Sequence, residues 1–360
     1  MNKGILLLAA LCFPFYSCIR EEAPNAEADI LSCTVPGDVL RAVPEIGNES
    51  VALYVRSEVD LKNLAPEFTI TEGATIEPES GTARDFSSPQ VYTVTSEDGL
   101  WHKNYTVRCV MSNIGTKYDF ERVRMEPKNG RFQIFYDIFS EGDTVDWGSA
   151  NAGYALTGMA ASVADYPTTQ AEDGYVGKCA RLVTRSTGTF GSWVGMDLAA
   201  GNLFIGSFDV SSALTNAPAA THFGKPFEQV PTYLSGYYKY KSGDQYLVNG
   251  QEVSGKRDKC DIYAVFYETD ENTSYLDGTN ALTHPNLVAL ARISDQKETD
   301  EWVHFNIPFV MRAGKEIDSL KLRNGVYRLG VVFSSSIHGD LFEGAIGSTL
   351  MIDEVEVSCE

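Results

Sequence analysis

Histidine is scarce in this 360-residue chain, and the five present (His102, His222, His284, His304 and His338) stand apart from one another in sequence. No Gly-x-Ser-x-Gly elbow, His-Glu-x-x-His pair or phosphate-cradling glycine loop occurs. The sequence signatures of serine hydrolases, zinc peptidases and nucleotide-phosphate enzymes are therefore missing. Basic residues are also few: 29 Lys and Arg against 49 Asp and Glu give a formal charge of −20. Such a balance excludes nucleic acid, whose phosphates demand a basic surface, and excludes a charge-driven hold on anionic lipid. Neither Cys-x-x-Cys nor a Cys/His cluster is present to suggest zinc. No window carries a convincing helical period, and neither internal repeats nor low-complexity segments occur. What remains open is a glycosidase, which needs only two carboxylates brought together in space.

Apolar residues make up 43% and aromatics 11% of the chain, which is the composition of a globular protein. The N-terminus has its own character. Lys3 precedes an apolar run from Ile5 to Tyr16, too short to cross a bilayer, and small Ser17 then sits directly before Cys18. This resembles a bacterial lipobox, with residues 1–17 as the leader and Cys18 as the lipidated first residue. Phe15 stands where that pattern prefers Leu; at the rival Cys12, the preceding Leu11 is too large. Ile19-Arg20-Glu21-Glu22 resembles the signal that sends lipoproteins of some Gram-negative gut anaerobes to the outer face of the outer membrane. Residues 18–29 also read as a flexible tether. With Cys12 in the leader and Cys18 on lipid, Cys33, Cys109, Cys179, Cys260 and Cys359 remain, an odd count that forms no disulfide framework. Cys33 and Cys109, in the first and last strands of one domain, could pair.

Residues 30–112 alternate as short strands. The hairpin signal is clearest where Asp98-Gly99 separates Val91–Thr95 from Asn104–Arg108, because both turn positions need positive φ. About eighty such residues predict a small immunoglobulin-like sandwich, and the closing hairpin resembles that of cadherin-like surface modules. After a hinge, residues 116–360 predict a larger jelly-roll β-sandwich. Asp261–Thr269 and Tyr327–Ser334 are apolar on both faces and belong in the middle of a covered sheet. Trp302–Phe309 sets Val303, Phe305 and Ile307 against a polar-aromatic face of Trp302, His304 and Asn306. The fold class is thus all-β throughout.

Flat aromatic rings stack on the C–H faces of sugars while polar neighbours take the hydroxyls. Gly236–Gly243 offers three tyrosines, and period two puts Tyr238 and Tyr240 on one face with Tyr237 opposite. Trp147 lies in a loop-like stretch with Asn151 close by, and Trp193 sits among glycines. Trp147, Trp193, Tyr238 and Tyr240 are the stacking candidates, with Asn151 as a polar contact; core packing is the ordinary alternative for each. No cofactor is certain. Structural calcium is the one candidate, because Glu121 near the start of the second domain and Asp353 in the final strand place carboxylates where jelly rolls often join first and last strands. A carboxylate satisfied by backbone donors is the competing reading of Asp353.

Several segments occur here in one order: Gly201–Gly206, Gly224-Lys225-Pro226-Phe227, the Gly236–Gly243 tyrosines, Asp261–Tyr267, and Gly339-Asp340 through Gly344–Leu350. Together they resemble the putative carbohydrate metabolism domain family of gut-anaerobe lipoproteins, over about residues 117–360. The resemblance implies a glycan link and supplies no catalytic residues. The expected function is an outer-membrane-anchored carbohydrate-binding lipoprotein, facing the cell exterior and taking part in glycan capture. Its expected partners are a polysaccharide or oligosaccharide, the membrane through the lipid alone, and other surface glycan-utilisation proteins. A carboxylate-pair glycosidase and an adhesive, fimbrial-type subunit are the alternatives; a deep cleft lined by two carboxylates points to the first, a shallow aromatic groove to binding.

Overall fold

The computed structural model describes residues 25–360 except 57–58, 112–113 and 141–142, so Cys18, the leader and most of the tether lie outside the described residues. The chain is all-β. In the N-terminal part a five-stranded sheet runs in the order Glu45–Ile46, Ser50–Tyr54, His102–Val110, Gln90–Thr95, Thr75–Glu77, and faces the pair Ile30–Thr34 and Glu67–Ile70. The alternation seen in sequence is the cause: Tyr92, Val94, Tyr105 and Val107 all turn inward onto Ile30, Cys33 and Phe68. No disulfide joins Cys33 to Cys109 among the described residues. Burial, then the neighbouring Cys109, pushes the Cys33 thiol up to about 12.

The larger part is a sandwich of two unequal antiparallel sheets. One has ten strands, with Asp261–Glu268, Tyr327–Ser334 and Asn202–Phe208 at its centre. The other runs Thr168–Ala171, Cys179–Val183, Thr349–Cys359, Pro231–Lys241, Thr299–Pro308, with Lys117–Tyr118 paired onto the last strand of the chain. Alternate residues of both sheets meet in one core, including Leu203, Ile205, Ile262, Ala264, Val331 and Phe333 from the first and Leu234, Tyr238, Phe305, Ile352 and Val355 from the second.

The central strands are apolar on both faces for a structural reason. Their other face, with Phe204, Tyr263, Val265 and Val332, is covered by loops and forms a second cluster with Phe223, Leu276 and Leu287. On the smaller sheet the outward side chains of the Pro231–Lys241 and Thr299–Pro308 strands are partly or fully exposed.

The two parts touch through charged groups. Lys225 Nζ donates to both oxygens of Glu45 at 2.6 and 2.7 Å, Tyr54 Oη donates to Glu45 at 2.7 Å, and Arg41 pairs with Glu228. Burial opposes the Glu45 charge, but Lys225 and Arg328 overcome it and hold its pKa at about 2.

Candidate functional site

Of the stacking candidates, three are core residues. Trp147 is not in a loop: it belongs to the strand Asp143–Gly148, pairs with Ile205, and is 3% exposed. Its indole packs on Tyr118, Phe120 and Phe333, and Nε1 donates to Asp137 at 2.6 Å. Tyr238 and Tyr240 are each 2% exposed and face the inter-sheet core. Asn151 is fully buried, and its amide clamps both backbone groups of Thr168. None of these four can reach a ligand from outside. Trp193 differs: it ends the short helix Gly188–Trp193 and is 86% exposed.

The period-two reading of Gly236–Gly243 holds, with the faces exchanged. Tyr237 is the outward tyrosine, between Ser235 and Lys239. Across the ladder it meets His304, with ring centroids 5.1 Å apart, and Lys239 Nζ lies 5.0 Å above the Trp302 ring. Tyr175, from the loop after Thr168–Ala171, lies flat on Tyr237 at 3.6 Å and 9°, with its edge toward Trp302. Tyr175, Tyr237 and Trp302 therefore form an open aromatic platform. Lys239, His304 and Asn306 supply the polar groups around it.

Glu121 and Asp353 serve this platform. Glu121 Oε1 accepts from the Lys178 amide at 2.7 Å; Asp353 Oδ2 accepts from the Val176 amide at 3.0 Å, and its Oδ1 from the Glu354 amide at 2.9 Å. Both carboxylates are thus taken by backbone donors, two of which belong to the loop that carries Tyr175. Among the described residues no group of three or more His, Cys, Asp or Glu side chains is arranged to hold a metal ion. In this structure the two carboxylates act as anchors for the loop that carries Tyr175.

Gly177 completes the loop. Its φ is +65°, and a Cβ there would sit 2.0 Å from Glu121 Oε1. Gly177→Ala is expected to cost about 1–2 kcal/mol for the left-handed backbone alone and to displace the loop. Faster hydrogen exchange at the Val176 and Lys178 amides checks this; unchanged exchange would contradict it.

A separate cavity of about 360 Å³ opens on the covered face of the ten-stranded sheet. Phe204 and Tyr263 come from the sheet, Phe190 and Val194 from the Trp193 helix and its end, and Asp340 from the turn Gly339–Leu341. Asp261 lies in its wall and is held by Arg292 through two hydrogen bonds of 3.0 and 2.7 Å.

The family model described as putative carbohydrate metabolism domain matches residues 119–358, a span that contains both the platform and the cavity. The chain belongs to that family. Residues 30–109 match a second model, described as SGBP, N-terminal. A crystal structure of a putative glycoside hydrolase from Bacteroides thetaiotaomicron is 56% identical, with a TM-score of 0.83 over 95% of this chain and 99% of that one. Another, from Bacteroides vulgatus, is 44% identical, with a TM-score of 0.66 over 69% of this chain and all of that one. No curated protein matches the chain. The function is accordingly glycan-related.

Within this carbohydrate metabolism domain, sequence reasoning missed Tyr175 altogether, because a loop residue stacked on a strand carries no periodic signal. Tyr237 had one. Ser235, Lys239 and Lys241 share its face, and two lysines two and four residues on mark that face as the wet one.

Two buried carboxylates give the domain a pH dependence. Burial pushes Asp137 up to about 6 despite the bond from Trp147, and burial likewise pushes Asp353 up to about 6. An unfolded aspartate titrates near 3.9, so the folded state holds more protons between about pH 4 and 6. This contribution favours folding below about pH 4 and is lost as pH rises through 6. Glu45, depressed to about 2, acts in the opposite direction and only below about pH 4, so the windows do not overlap. The melting temperature is expected to be higher at about pH 5 than at about pH 7.5, and Asp137→Asn with Asp353→Asn to flatten the difference. Calorimetry at the two pH values checks it.

Proposed function

We propose that this chain is a lipoprotein anchored through Cys18 to the outer membrane, facing the cell exterior, and that its larger domain captures a polysaccharide on the Tyr175–Tyr237–Trp302 platform. One observation carries the reading: a solvent-facing stacked tyrosine pair beside a tryptophan on an uncovered sheet face. Rings in that setting gain nothing from the core. They are positioned to lose water against the apolar face of a sugar, while Lys239, His304 and Asn306 take hydroxyls. An open face also accepts a polymer along its length, which an enclosed pocket does not. The net acidity favours a neutral polysaccharide over an anionic one.

The relatives' description as putative glycoside hydrolases raises catalysis as the competing reading. Glycosidases need one carboxylic acid and one carboxylate free to face the same bond. In the cavity, both oxygens of Asp261 are occupied by Arg292, which favours binding over hydrolysis. Affinity electrophoresis of the purified protein through gels containing dietary, host or microbial polysaccharides tests the proposal, alongside an assay for new reducing ends. Retardation by at least one neutral polysaccharide without new reducing ends is expected. No retardation in any gel sinks the proposal.

A further inference from the structure

The platform leaves the 360 Å³ cavity unexplained. Its size lies near the low end of the roughly 300–1,000 Å³ range of small-molecule pockets. It is walled on one side by the outward face of the ten-stranded sheet and on the others by five connecting segments. A space of that size has room for about one or two sugar rings.

The walls combine two kinds of group. Phe190 and the edge of Tyr263 offer aromatic carbon, with Phe204 fully buried behind them. Near them lies a fixed polar edge: the Asp261–Arg292 pair, with Asp261 only 3% exposed, and Asp340 beside it. Arg292 turns Nε and Nη2 toward Asp261, and neither of these bonds uses Nη1. Asp340 is held by the amides of its own turn and senses both Asp261 and Arg292 electrostatically. A carboxylate beside a guanidinium presents acceptors and donors side by side, the complement of two adjacent hydroxyls. Trp193, 86% exposed, belongs to the same short helix as Phe190, which lines the cavity. Nothing in the packing of the domain accounts for a tryptophan there.

We infer that this cavity is a second saccharide site, which takes the uncharged end of a glycan, about one or two sugar rings, with Asp340 and Arg292 on adjacent hydroxyls and Trp193 over the next ring outside. Charge selects against an anionic sugar, which would face Asp340 and Asp261 while Arg292 is already compensated by Asp261. The inference rests on the carbohydrate reading of this domain, but not on the platform.

Saturation-transfer NMR with the full chain separates the two sites. The probes are the neutral disaccharides cellobiose, maltose and lactose, with a uronic-acid disaccharide as the charged control. At least one neutral probe is expected to bind. Asp340→Asn and Trp193→Ala should each weaken it roughly tenfold. Tyr237→Ala with Trp302→Ala should leave it unchanged, with melting curves confirming that every variant is folded. If the parent protein is not retained by any polymer yet binds a neutral disaccharide, that result counts against the platform alone. The inference is overturned if no neutral probe binds at millimolar concentration, if the uronate binds more tightly, or if Asp340→Asn and Trp193→Ala bind as the parent does.

Discussion

Replacing Tyr237 and Trp302 together by alanine is expected to weaken polysaccharide binding roughly a hundredfold or more, while the melting temperature stays within a few degrees of the parent. The magnitude follows from how such surfaces work. A few aromatic anchors carry most of the binding energy, and truncating one typically costs tenfold or more in affinity. Tyr237 and Trp302 are two of the three platform rings, and the third, Tyr175, lies on Tyr237 and would lose its support. Stability should hardly move, because both side chains lie on the solvent face and neither belongs to the inter-sheet core. Tyr238→Ala should invert the pattern. Its ring is buried, its hydroxyl accepts from the Lys297 amide, and its loss should unfold the domain before affinity can be read. Titration calorimetry with a captured polysaccharide, next to melting curves, distinguishes the two behaviours. A double variant that binds as the parent does would remove the platform from the account.

A large loss of stability is also expected on replacing Asp258. It is 2% exposed at one end of the sandwich, and its Oδ2 accepts from Ser336 Oγ at 2.6 Å, Ser348 Oγ at 2.7 Å and the Ala345 amide at 2.8 Å. Oδ1 accepts from the Lys259 amide at 2.8 Å. Thr184 extends the network by bonding Ser335 and Ser336. One carboxylate thus joins the Lys259 region, the turn after Tyr327–Ser334 and the approach to the last strand. Asp258→Ala strands these donors without water or partner, which is expected to cost about 3–5 kcal/mol. Denaturant unfolding should show a lowered midpoint with an unchanged slope. A loss under about 1 kcal/mol would mean that water replaces the carboxylate and that the network is not structural.

Much of this fold was legible because β-sandwiches write their burial into alternation. Asp261–Glu268 and Tyr327–Ser334 read as central strands and are central, since both of their faces are covered. Trp302–Phe309 reads as half core and half polar-aromatic, and that outer half carries Trp302 and His304. The site was less legible, and the reason is specific. Period two sorts residues into two faces without saying which is wet, so Tyr238 and Tyr240 were as eligible as Tyr237 until the lysines on its side were weighed. Trp147 sits among small and polar residues that suggest a loop, yet the ladder to Asn202–Phe208 draws it into the core. Asp353 was read correctly as an inward carboxylate needing partners. What satisfies it is a loop amide 177 residues away in sequence, a contact that only the folded chain makes.

The crystal structure of the protein soaked with an oligosaccharide of the best-retained polysaccharide tests the central claim most directly. The account predicts sugar rings packed against the exposed rings of Tyr175 and Trp302 on the outer sheet face, with hydroxyls on Lys239, His304 or Asn306. A bare platform in a complex whose sugar lies elsewhere on the domain would contradict it.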